Sequence, residues 1–225
     1  MKKIAIIVAG GSGQRMGSAV PKQFLTLQGR PLLWYTLHTF LQSYDDLEII
    51  LVLPAEHIAT GEALLNTLSG AGRITIVSGG ATRFHSVQNG LAQVKEESVV
   101  FIHDGVRCLV STQLIHRCYV QALVKGSAIP AVAATDSIRI TKGAEHTVAD
   151  RSTIQLVQTP QTFISSIILP AFQQPYTELF TDEATVAEAN GTKVFLIEGE
   201  YDNIKVTRPV DLLIAEKIIE ARSFL

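Results

Sequence analysis

Residues 4–24 read IAIIVAGGSGQRMGSAVPKQF, an apolar run that breaks into glycines and ends on a proline–lysine pair. An unbroken apolar run rich in isoleucine predicts a strand over residues 4–9 that is covered on both faces, the pattern of a central parallel strand. The glycines after it let successive backbone N–H groups converge on anionic oxygens. Two familiar glycine motifs compete for the turn, and both fail. A dinucleotide fingerprint needs G-x-G-x-x-G, whereas Gly11, Gly13 and Gly17 leave one residue too many. The next acidic residues, Asp45 and Glu48, come too late to hold a ribose. A Walker loop needs a Gly-Lys pair, and the chain has none. What remains is a set of backbone donors with two cations, Arg15 inside the turn and Lys22 behind Pro21. That set suits a polyphosphate that gains negative charge during reaction.

Working outward, further apolar runs predict strands over 47–53, 74–77, 99–102, 128–134 and 194–197. Helical patterns fall between them. Pro31 opens a helix with Leu33, Leu37 and Leu41 at spacing four. Others cover 55–68, 84–94, 112–124 with Ser111 as N-cap, 164–173, and 182–190 with Thr181 as cap and Gly191 past the end. The segment 203–206 predicts a short strand before a final proline-initiated helix. Continuous strands alternating with helices predict an α/β fold, a parallel sheet with helices on both faces. At 225 residues the chain has room for one domain, 1–225.

Residues 135–163, TDSIRITKGAEHTVADRSTIQLVQTPQTF, break this rhythm. Ile138 and Ile140 alternate with polar residues and Gly143 sits in a polar turn, which predicts an antiparallel hairpin over about 135–156. So little apolar surface makes a hairpin marginal by itself, and a second subunit is its natural support.

Composition excludes several classes. The net charge is −2 with no basic block, against a surface that tracks nucleic-acid phosphates. No apolar run approaches the ~20 residues that span a bilayer, and the short N-terminal run ends in glycines, a strand rather than a signal peptide. Two cysteines, Cys108 and Cys118, are too few for a disulfide scaffold or a cysteine-rich zinc site, and read as reduced core thiols of a cytoplasmic protein.

Ligands in open α/β sheets bind beyond the carboxyl ends of the strands. Three loops meet that rule: AGGSGQRMG, SGGATRFHS and HDGVRC. Asp104, just past a buried strand, is placed to hold Mg²⁺ against phosphate oxygens. His103 beside it reads as structural.

AGGSGQRMG…PKQF, GGATRFHSV, HDGVR, TPQTF, TDEA and DNIKVTRPVDL occur in the order and spacing of the 2-C-methyl-D-erythritol 4-phosphate cytidylyltransferases, and the chain resembles that family from Ile4 to its final helix. The resemblance implies a single-domain, Rossmann-like nucleotidyltransferase whose projecting β-arm reaches a partner in a homodimer. It implies transfer of CMP from CTP to the alcohol phosphate, with pyrophosphate released and Mg²⁺ required. By the same resemblance Arg15, Lys22 and Lys205 are the catalytic cations. Ala9, Gly10, Gly11, Gly13, Gly80, Ser86, Asp104 and Gly105 bind CTP, with Asp104 the metal ligand. Arg107, Ser137, Arg151, Thr159, Thr181 and Lys205 bind the alcohol phosphate, in part from the partner's arm. Many relatives carry HDAARP where this chain has HDGVRC, so a looser loop is expected around Gly105 and Cys108.

Three rivals stay open. A ribitol 5-phosphate cytidylyltransferase shares the fold and the reaction, although GGATRFHSV is nearer the erythritol branch. A nicotinamide-dependent reductase is disfavoured by the extra residue in the glycine turn. A non-catalytic nucleotide-binding module predicts CTP binding without pyrophosphate release.

Overall fold

The computed structural model describes residues 1–10 and 20–222. In chain order the elements begin with β1 (Lys2–Val8), a small hairpin β2 (Thr26–Leu27) and β3 (Arg30–Pro31), α1 (Leu32–Ser43) and β4 (Leu47–Leu53). Then come α2 (Ile58–Leu65), β5 (Ile74–Ser78), α3 (Arg83–Leu91), β6 (Ser98–Asp104), α4 (Thr112–Lys125) and β7 (Ser127–Ala133). The arm is β8 (Ile138–Lys142) and β9 (Glu145–Ala149). The chain closes with β10 (Gln155–Val157), β11 (Gln161–Ile164), α5 (Ser165–Ala171), α6 (Glu183–Ala189), β12 (Leu196–Glu198) and α7 (Pro209–Arg222).

One eight-stranded sheet runs β10-β7-β11-β6-β1-β4-β5, with β12 also paired to β7. β1 lies between β4 and β6, parallel to both, with Val8 beside Val52 on one side and Asp104 on the other. The chain builds outward from β1 to β5, then returns to place β6 on the opposite side. Strand order therefore reverses at β1, and the crevice beyond the ends of β1 and β6 is where an open α/β sheet binds ligands. Ala9 and Asp104 stand at its two lips.

β1 shows why the run 4–9 reads without alternation. Ala5, Ile7 and Ala9 pack on one face against Leu33, Leu37 and Phe40 of α1 and Leu114 of α4. Ile4 and Ile6 pack on the other against Phe84 and Val87 of α3 and Ile168 of α5. Burying one such aliphatic side chain contributes about 1.5–3 kcal/mol, so both faces fix the strand's register. A third cluster, with Leu27, Leu32, Leu109, Val206 and Ala215, seats α7 beneath the loop after β6. Cys108 lies in that cluster and Cys118 in the first. Both are free and buried, and burial pushes each thiol up to about 12, which makes them inert core residues.

The predicted hairpin is present as β8 and β9, which among the described residues pair only with each other. Gly143, at φ +62°, opens its two-residue loop, where an L side chain would be strained. Ile140 is 61% exposed and Val148 71%, so the arm has little core of its own.

Four expectations are corrected. The helix expected over 55–68 is a 3-10 turn, Ala55–His57, followed by the shorter α2. Residues 203–206 form no strand. Asn203 donates to the Thr159 carbonyl at 2.9 Å and Val206 N–H donates to the Val106 carbonyl at 3.0 Å, so the segment is pinned to two loops instead of a ladder. α6 is capped by Asp182 and not Thr181: Asp182 Oδ1 accepts from Thr185 N–H at 2.9 Å while Thr185 Oγ1 accepts from Asp182 N–H at 3.3 Å, a capping box. Finally, the helix expected from residue 164 is preceded by β11, which slots antiparallel between β6 and β7. Ser111 caps α4 as expected, accepting from Leu114 N–H at 3.0 Å.

Candidate active site

Asp104 ends β6 and is 7% exposed. Among the described residues, three cations surround its carboxylate. Arg83 Nε meets Oδ1 at 3.2 Å, Lys205 Nζ meets Oδ2 at 2.8 Å, and Arg107 Nε stands 3.9 Å from Oδ2. Burial alone would raise this carboxyl. Arg83, Lys205 and Arg107 outweigh it and hold the group well below the usual carboxylate range. Asp104 is therefore an anion at any physiological pH.

The backbone beneath it is fixed by a chain of hydrogen bonds. Asp104 N–H donates to Thr159 Oγ1 at 3.1 Å, and Thr159 Oγ1 lies 3.0 Å from His103 Nδ1. His103 Nε2 lies 3.1 Å from the Arg107 carbonyl. A carbonyl only accepts, so Nε2 carries the proton and Nδ1 accepts from the threonine hydroxyl. Burial pushes the imidazole down to about 3. This histidine is neutral and structural, as its position in the sequence suggested. Arg107 Nη1 donates to the Asn203 carbonyl at 2.7 Å, which sets the segment carrying Lys205 over Asp104.

The crevice holds two clefts with a common edge. The first is walled by Ala9, Gly10, Lys22, Gly80 and Ser86. The second contains Arg107, Thr159, Thr181 and Asp182. Arg83, Asp104 and Lys205 line both. In the first cleft Gly80 N–H donates to Ser86 Oγ at 3.1 Å. A Cβ on Gly80 would sit 2.5 Å from His85 Cβ and 3.0 Å from its carbonyl carbon, so only glycine keeps that wall. Gly80→Ala is expected to cost about 1–3 kcal/mol of stability through overpacking and to weaken nucleotide binding. Urea unfolding together with a CTP titration checks both, and wild-type values in the two would remove Gly80 from the wall.

Gly105 is buried and tightly held. Its N–H donates to the Val8 carbonyl at 2.9 Å, its carbonyl accepts from Thr36 Oγ1 at 3.1 Å, and an added Cβ would lie 3.0 Å from Ala9 Cβ. The loop after β6 is thus packed, contrary to the looser loop expected from HDGVRC.

The structure brings Ala9, Gly10, Lys22, Gly80, Ser86, Asp104, Arg107, Thr159, Thr181 and Lys205 to the two clefts. Gly105, expected to contact CTP, lines neither, and nor do Ser137 and Arg151. The last two are exposed at the arm, where Arg151 Nη1 donates to the Thr135 carbonyl at 2.8 Å. Gly11, Gly13 and Arg15 lie outside the described residues. Two residues were missed. Gln23 is buried, and its Nε2 donates to the Ala9 carbonyl at 2.8 Å, tying the PKQ turn to the end of β1. Arg83, inside the GGATR motif, pairs with both Asp104 and Glu183. TR at the end of a strand-end loop was the signal available for it.

The sequence matches the family model for 2-C-methyl-D-erythritol 4-phosphate cytidylyltransferase over residues 3–221. It is 47% identical to the protein of that name from Phocaeicola vulgatus over 220 residues, covering 97% of this chain and 100% of the relative. The corresponding protein of Bacteroides fragilis is 44% identical with the same coverage. The 4-diphosphocytidyl-2C-methyl-D-erythritol synthase of Anaerococcus prevotii superposes with a TM-score of 0.83 at 29% identity, over 97% of this chain and 96% of the other. The Thermus thermophilus cytidylyltransferase gives 0.76 at 28% identity, over 97% and 99%. With the Rossmann-like sheet, the two-cleft crevice and a match along nearly its whole length, this chain belongs to the 2-C-methyl-D-erythritol 4-phosphate cytidylyltransferase family.

Proposed function

We infer that this chain transfers CMP from CTP to 2-C-methyl-D-erythritol 4-phosphate, releasing pyrophosphate and forming the diphosphocytidyl alcohol of non-mevalonate isoprenoid synthesis. The observation that carries the reading is the common edge of the two clefts. Two anions can meet there against Arg83, Asp104 and Lys205. The attacking group is a phosphate monoester oxygen. Its second pKa is about 6, so it is largely a dianion at neutral pH and needs no general base. The neutral, fully bonded His103 agrees with that. The task left to the protein is to align two anions and stabilise charge at the α-phosphorus. Lys22 and Lys205, with Arg15 from the glycine turn, serve it.

Mg²⁺ fits the donor set. Among the described residues no cluster of three or more His, Cys, Asp or Glu side chains could cage a metal. Mg²⁺ however is commonly held by one carboxylate with substrate phosphates and water. Asp104 offers that carboxylate at the cleft. A bound divalent cation would offset triphosphate charge and polarise the phosphoryl oxygens. Thr159, Thr181, Arg107 and Lys205 would bind the acceptor phosphate, and Ser137 and Arg151 would reach it from the arm of a second copy. A cytoplasmic location completes the reading, supported by two buried cysteines that are not disulfide-bonded. No described helix is long and apolar enough to cross a membrane.

The test offers CTP and Mg²⁺ with either methylerythritol phosphate or ribitol phosphate and measures pyrophosphate. Release with the first is expected. Faster turnover with ribitol phosphate overturns the acceptor, and CTP binding without release from either leaves a binding module. Arg151→Ala is expected to raise the KM for the alcohol phosphate roughly tenfold, the equivalent of one charge-assisted hydrogen bond of about 1.5 kcal/mol, with kcat little changed. An unchanged KM would take the arm out of the substrate site.

A further inference from the structure

The two oxygens of Asp104 are held unequally. Oδ2 meets Lys205 at 2.8 Å, a flexible cation whose side chain is 40% exposed, with Arg107 Nε more distant at 3.9 Å. Oδ1 meets Arg83 Nε at 3.2 Å, and Arg83 is anchored at its far end. Its two terminal nitrogens fork onto both oxygens of Glu183, with Nη2 and Oε2 3.1 Å apart. Glu183 is 1% exposed and opens α6, whose first turn is fixed by the Asp182–Thr185 capping box. A forked guanidinium–carboxylate pair sets direction as well as charge, which an ammonium on a flexible stem does not.

We propose that Arg83, clamped by Glu183, is a positioning residue that pins Asp104 Oδ1 and leaves Oδ2 as the exchangeable oxygen. Lys205 covers Oδ2 in the free protein and yields it to a divalent cation arriving with the nucleotide. The exchange replaces one cation by another at Oδ2 and leaves the Lys205 ammonium free to meet a phosphate. The clamp also joins the clefts, because the start of α6 carries Asp182 at the wall of the second cleft while Arg83 lines both. The inference rests on the transferase reading only for the identity of the incoming ligand.

The test measures CTP affinity by calorimetry, in EDTA and in MnCl₂, for the wild type, Glu183→Gln and Arg83→Lys. In Glu183→Gln the guanidinium loses its anionic clamp and turns fully onto Asp104. In Arg83→Lys the charge remains and the fork is lost. In both variants the gain in CTP affinity on going from EDTA to MnCl₂ is expected to shrink about tenfold or more, beyond whatever each loses in EDTA, the usual cost of disturbing a residue that orients a metal ligand. A wild-type Mn²⁺ gain in both variants overturns the proposal. So does an equal loss in EDTA and in MnCl₂ accompanied by a lower melting temperature, since a pair that only holds the fold together cannot single out the cation. A wild type without any Mn²⁺ gain overturns it too. A wild type that shows the gain, with the variants losing it, yet releases no pyrophosphate supports the role of Arg83 and removes the transferase reading instead.

Discussion

Lys205→Ala is expected to lower turnover by roughly 10²–10³, the loss seen when one preorganised charge-stabilising group is removed from an active site. The reason is its position. Lys205 Nζ lies 2.8 Å from Asp104 Oδ2 on the edge shared by both clefts, where the attacking and the attacked phosphates must converge. Two unit charges 4 Å apart repel by about 4 kcal/mol at an effective dielectric constant near 20, and a phosphate dianion facing a triphosphate multiplies that. A mobile ammonium at the meeting point offsets the repulsion most as the anions close, so the loss falls on kcat more than on either KM. The fold should tolerate the change, because Asp104 keeps Arg83 on Oδ1 and the segment 203–206 is held by Asn203 and Val206 instead. Steady-state kinetics with a melting curve decides it. Wild-type kcat in a folded Lys205→Ala protein would remove the lysine from the reaction. Lys205→Arg should recover only part, since a planar fork does not replace a point charge.

What the sequence made legible was local. The run 4–9 showed a strand buried on both faces because each face meets its own helix layer. The place of Asp104 in the crevice followed from its position at the carboxyl end of a buried strand. Arg83 escaped because its meaning is long-range: Glu183 lies 100 residues away along the chain, and no spacing rule links the starts of two helices. β11 escaped for a similar reason. QTFI is too short and mixed to read as a strand, and becomes one by filling the gap between β6 and β7. The strand expected at 203–206 failed in the opposite way. Its apolar alternation is real, with Val206 in the core under α7, but no strand among the described residues pairs with it.

The wild-type protein, free of ligands, is expected to lose stability as pH falls below 6.5, and His103 is the cause. It is fully buried, and each ring nitrogen already has a partner: Nε2–H faces the Arg107 carbonyl at 3.1 Å and Nδ1 faces the Thr159 hydroxyl at 3.0 Å. A second proton on Nδ1 would set a donor against that hydroxyl's own proton, which would then have to turn away from its only acceptor among the described residues. Burial accordingly pushes the group down to about 3. Above pH 6.5 the imidazole is neutral folded and unfolded, and it contributes no pH dependence. Between about 6.5 and about 3 the unfolded chain binds a proton that the folded chain refuses, so stability falls by about 1.4 kcal/mol for each pH unit. His38, lowered by burial and by Arg30, acts in the same sense, while the buried Glu183 carboxyl, raised by burial, acts in the opposite one. Asp104, held low, withdraws its contribution only as pH drops below the ordinary aspartate range. A His103→Gln protein isolates the histidine from all three. It should be less stable than the wild type at pH 7, and the gap should narrow by about 1.4 kcal/mol per unit as urea unfolding is repeated at pH 6, 5 and 4.5. A gap independent of pH would mean that His103 takes up its proton in the folded state, and the bond chain under Asp104 would then have to be redrawn with both ring nitrogens as donors.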